Sequence, residues 1–88
     1  MHAVIVSVTI NDAETATNNL RSNIVPQVSQ APGFVAGYWT RIGDDQGRSV
    51  IVFESEDAAK AVAAQIQQLP GDEVNLDSVD VGEVVASA

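Results

Sequence analysis

Nine of the first ten positions form a run rich in β-branched residues, HAVIVSVTI (2–10), and this pattern predicts a strand. Helical spacing follows, with Ala13, Ala16, Leu20, Ile24 and Val28 recurring every three or four residues. Asn11 stands where a helix cap is needed, and Glu14 three residues later would complete a capping box. Pro26 interrupts the stripe. Without an N–H it cannot bond the carbonyl of Ser22, so the helix should kink or break there before "APG" (31–33) ends it.

Two further strand-like runs, GFVAGYWTRI (33–42) and RSVIVFE (48–54), flank GDDQG, a composition typical of a hairpin turn. Ser55 caps a second helix, with Glu56 and Asp57 in its first turn where the helix dipole favours negative charge. Its apolar stripe is Ala59, Val62, Ala63, Ile66 and Leu69, and Pro70-Gly71 stops it. A final strand is expected within 74–86, where Val79, Val81 and Val85 alternate with polar or small residues. The predicted order is β-α-β-β-α-β, an α+β, ferredoxin-like split β-α-β with an antiparallel four-stranded sheet and two helices on one face. Residues 1–88 are read as a single domain.

A turn centred near Asp45-Gln46 would place Phe34, Ala36, Tyr38, Thr40, Ile51 and Phe53 on one face of the hairpin. Val35, Gly37, Trp39, Arg41, Val50 and Val52 would then share the other. Strand one divides into Val4, Val6, Val8 and Ile10 against Ala3, Ile5, Ser7 and Thr9. Both faces are substantially apolar, whereas a sheet with one wet face alternates more cleanly. Two helices cover only one of them. A second copy packed on the other is the simplest cover, so a homodimer is expected, with Val6, Val35, Trp39, Val50 and Val52 at its interface.

Charge narrows the classes of partner. Twelve acidic residues against four cationic ones give a net charge of −8, which leaves no basic surface for nucleic acid or for anionic membranes. The absence of Cys suits a reducing cytoplasm, and no targeting or membrane-spanning segment is read. Asp72, Glu73, Asp77, Asp80 and Glu83 lack the His or the glycine-containing loop pattern of a metal site, so no metal is expected.

The segments APGFVAGYWTR and VFESEDAAKA are similar to the P-G-F-x-G opening of strand two and the W-x-S/D-x-E/D-A segment of strand three in the dimeric α+β barrel superfamily, antibiotic-biosynthesis-monooxygenase-like (ABM) branch. The resemblance covers nearly the whole chain. It implies a site inside each subunit, between helices and sheet, and an activity drawn from cofactor-independent oxygenation of aromatic molecules, haem degradation or none. Haem-degrading members place an Asn on strand one, a Trp at the end of strand three and an axial His on or after helix two. The corresponding positions here look like Ser7 and Phe53, and the only His is His2. Haem degradation is therefore not expected.

With the site inside the subunit, the expected pocket is Ser7, Thr9, Asn23, Tyr38 and Phe53, taking a flat, mostly apolar molecule that the hydroxyls orient. Trp39 with Asn18, Asn19 or Asn23 could reproduce the Trp and Asn that the resemblance associates with electron transfer to oxygen. Arg41 and Arg48 flank the hairpin turn beside Asp44 and Asp45, as turn-end ion pairs or as contacts to an acidic substrate. Two function classes stay open: a cofactor-independent monooxygenase, and a non-catalytic ligand-binding or structural dimer.

Overall fold

The computed structural model describes residues 1–68 and 74–88. Four strands, β1 (His2–Ile10), β2 (Phe34–Ile42), β3 (Gln46–Phe53) and β4 (Val74–Glu83), form one antiparallel sheet in the order β2-β3-β1-β4. Helical segments lie on one face. This is the ferredoxin-like arrangement that the apolar pattern predicts.

The first helical segment is built in three pieces: α1 (Ala13–Asn19), a π-helical turn (Leu20–Ile24) and α2 (Val25–Ser29). Asp12, not Asn11, is the N-cap, accepting from the Thr15 backbone N–H at 3.1 Å and the Thr15 hydroxyl at 2.9 Å. Those bonds, the backbone one first, hold its carboxyl below the usual carboxylate range. Pro26 does not end the helix. The carbonyl of Leu20 takes the N–H of Val25, five residues on, so the irregularity falls in the turn before the proline and the helix resumes behind it. Ser55 caps α3 (Glu56–Gln67) as expected, accepting from the Ala58 N–H at 3.2 Å. Leu69 of the expected stripe, the expected stop at Pro70-Gly71, and the acidic Asp72 and Glu73 lie outside the described residues. β4 ends at Glu83, which leaves Val85 beyond the strand and exposed.

The hairpin corrects the expected faces. Gly43, Asp44 and Asp45 form the turn, opened by Gly43 at φ +64°, and the Asp45 carbonyl accepts from Ile10 N–H at 2.6 Å. The turn therefore centres on Asp44, and Trp39 pairs with Ser49 and Tyr38 with Val50. An odd shift in register exchanges the faces of one strand relative to its partner. A bulge between Phe34 and Ala36 adds a second change, so that Phe34 pairs with Phe53 yet Gly37 pairs with Ile51. Gly37 and Trp39 consequently face the helices, while Tyr38 faces away and is 66% exposed.

The core sits where α3 crosses the sheet: Val4, Val6, Ile51 and Phe53 pack against Ala59, Val62, Ala63 and Val28. The Phe53 ring meets Phe34 edge-on, with centroids 6.1 Å apart and planes at 76°.

Candidate functional site

The space between helices and sheet is filled at one end and open at the other. α3 brings small residues, Ala59 and Ala63, down onto the sheet and closes the end where β1 begins. α1 and the π-helical turn bury no residue at all. Ala16 is too short to fill the gap beneath them, and a cleft of about 320 Å³ opens there, bounded by the C-terminal half of β1 and the hairpin end of β2 and β3. Val6, Val8, Ser49, Ile51 and Trp39 form the floor. Ala16, Thr17, Asn19, Leu20, Arg21 and Ile24 form the roof, with Thr40, Arg41, Ile66, Val74 and Leu76 around the edge.

Trp39 keeps this cleft open by lying down. An ideal Cβ built on Gly37 would fall 2.7 Å from Trp39 Cη2 and 2.8 Å from Cζ3, so the indole rests against the bare backbone of Gly37. Across from it, Asn23 donates its amide to Asn19 Oδ1 at 2.7 Å, and Asn19 is the one that lines the cleft. Asn23 thus orients the roof without reaching the space.

Most of the expected pocket lies elsewhere. Ser7, Thr9 and Tyr38 are on the face away from the helices, where the Thr9 hydroxyl donates to Asp77 at 2.8 Å. Thr40 also projects there, donating its hydroxyl to the Arg48 carbonyl at 2.7 Å, and reaches the cleft only at its edge. Phe53 faces the helices but is fully buried in the closed end. Of the residues expected at an interface, Val6 is buried in the core and Trp39 lines the cleft, whereas Val35, Val50 and Val52 remain on the face away from the helices. Sequence reasoning missed Arg21, Leu20 and Ile24 as roof residues. The readable signal was Gly37 two positions before Trp39, a bare seat for a ring on the same strand face.

His2 stands apart from the cleft, at the closed end. Its Nε2 lies 3.3 Å from Glu56, which also takes Lys60 at 2.7 Å. The hydrogen bond from Lys60, then its charge and that of His2, hold the Glu56 carboxyl low, and the same bond raises Lys60. Among the described residues lining the cleft there is no His, Cys, Met or Tyr, the side chains that serve haem iron as axial ligands. The cleft does not fit haem held through iron.

Neither a family model nor a curated protein matches the sequence. Solved structures do match. Over 100% of its length the chain superposes on 96% of HapK from Hahella chejuensis, with a TM-score of 0.75 and 16% identity. A putative antibiotic biosynthesis monooxygenase from Bacillus cereus gives 0.57 at 19% identity, covering 99% of this chain and 91% of that one. The chain shares the ferredoxin-like α+β fold of these proteins. The heme-degrader MhuD from Mycobacterium tuberculosis, solved with two hemes in its active site, shares this fold at a TM-score of 0.53 and 20% identity, with 97% and 98% of the two chains covered. Identities this low show a common fold and leave the chemistry to the residues in the cleft.

Proposed function

We propose that the cleft binds a flat, mostly apolar small molecule against Trp39, and that the protein acts on it as a cofactor-independent monooxygenase. The observation that carries this reading is the indole laid along the floor of an open cleft whose other walls are largely aliphatic, with Asn19 on the roof. In such a reaction the substrate supplies the electrons. An electron-rich phenolic ring becomes a quinone, one atom of dioxygen enters the product and the other leaves as water.

A second reading, a non-catalytic ligand-binding dimer, has one observation in its favour. No Asp, Glu, His, Lys or Tyr lines the cleft among the described residues, so no side chain of the usual kind stands ready to take the phenol proton. Quenching of Trp39 emission by polycyclic phenols, run beside oxygen uptake, separates the readings. Quenching with uptake supports the oxygenase, quenching without uptake supports the binding protein, and no quenching defeats both.

Assembly belongs to the same proposal. Ile5, Val35, Tyr38, Ile42 and Val50 are exposed on the face away from the helices. Residues 84–88 cover only part of it, since Ser87 and Ala88 approach Val35, Tyr38 and Val52. Covering this much apolar surface with a second copy is favourable at about 25 cal/mol per Å². Sedimentation should find a homodimer, and Val50→Glu should convert it to monomer by placing a charge in the apolar contact. A monomeric parent, or a variant that still dimerises, would refute the pairing. No helix among the described residues is long and apolar enough to cross a membrane.

A further inference from the structure

We infer that the ligand of this cleft carries a carboxylate, held at the mouth by Arg21 and Arg41. This rests on the reading of the cleft as a binding site for a flat molecule, and adds a charge to that molecule. The chain has only four cationic side chains against twelve acidic ones. Two of the four line this one cleft from opposite walls, Arg21 from the π-helical turn and Arg41 from the end of β2. Among the described residues, no carboxylate lines it with them.

The other two cations are occupied. Lys60 is held by Glu56 at 2.7 Å, and Arg48 turns back to donate to the Gly47 carbonyl at 2.9 Å. Arg21 and Arg41 form no ion pair with any described residue. On a protein of net charge −8 the overall field repels anions, and a scattered cation would readily find an acidic neighbour. Two guanidiniums without an ion-pair partner among the described residues put positive charge on the walls of an apolar cleft. Guanidinium also presents paired N–H donors that match the two oxygens of a carboxylate.

The spacing along β2 suits one molecule. Arg41 follows Trp39 by two residues on the same strand face, which places its backbone about 7 Å further along. A planar body over the indole with a carboxylate at its edge would therefore meet both kinds of lining at once. Arg21 lines the facing wall, on the roof.

Trp39 is the only Trp, so its emission reports occupancy directly. Anthracene-2-carboxylate and 2-(hydroxymethyl)anthracene, nearly equal in size, make a matched pair of quenchers. At low salt the carboxylate should bind roughly tenfold more tightly, and high salt should erode that advantage. The double variant Arg21→Gln/Arg41→Gln, altered only at exposed side chains, should lose it while holding the alcohol within about twofold of the parent. Equal binding, or preference for the alcohol, would overturn the carboxylate and leave the flat-molecule site standing. A carboxylate preference that survives in the double variant would overturn the role of these arginines. If neither compound quenches, the site and the inference fall together.

Discussion

Phe53→Ala should remove about 3–5 kcal/mol of stability, the usual cost of emptying a buried phenylalanine site. Phe53 is 0% exposed and ends an inner strand, paired with His2 on β1 and Phe34 on β2, beneath the small residues of α3. Little can collapse into the gap, because Ala59 and Ala63 have no side chain to spare and the flanking Val4 and Ile51 are already packed. The edge-to-face contact with Phe34 disappears as well, worth about 1 kcal/mol beyond the area term. A domain of this size holds only about 5–15 kcal/mol in all. The urea midpoint should drop by more than about 1 M with an unchanged slope, at matched protein concentration. A loss below about 1 kcal/mol would mean that the closed end is not what holds the helices to the sheet.

Gly37→Ala should leave the fold standing and close the site. The new methyl would occupy the place where the outer edge of the Trp39 ring rests, 2.7 Å from its nearest atom, and would also meet Phe34 Cε2 at 3.5 Å. The indole is the far end of a rotatable side chain with open space above it, so it would lift into the cleft rather than force the strands apart. Overpacking of this kind costs about 1–3 kcal/mol in a closed core, and the vacancy above the ring should hold the cost near the lower limit. Affinity for a flat quencher should fall by roughly tenfold or more, the equivalent of about 1.4 kcal/mol. Trp39 emission should change before any ligand is added. Unaltered emission and affinity would show that the ring does not depend on this seat.

The order of elements was legible because each carried its own local signal: β-branched runs for the strands, helical spacing for residues 13–28, and Ser55 with acidic followers for α3. The cleft depended on quantities that no local window contains. Which face Trp39 takes follows from a turn centred on Asp44 and from the bulge after Phe34. The bulge has a trace in the sequence, since Pro32-Gly33-Phe34-Val35-Ala36-Gly37 holds one residue more than the P-G-F-x-G pattern it resembles. Alanine was ambiguous for a similar reason. The methyls of Ala59 and Ala63 permit contact because α3 has come close, while that of Ala16 leaves a void because α1 has not.

Roof and sheet both depart from regular geometry, the roof at the π-helical turn Leu20–Ile24 and the sheet at the bulge before Gly37 and at a register shift between β1 and β4 at Ser7 and Val8. Beneath α3 the β1–β3 pairing, Val4 with Ile51 and His2 with Phe53, runs without a shift. Length change by a single codon is therefore a natural way for relatives to diverge. Removing one residue from either wall would rotate every side chain beyond it, re-aiming Arg21 or Trp39 while the anchored half preserved the scaffold.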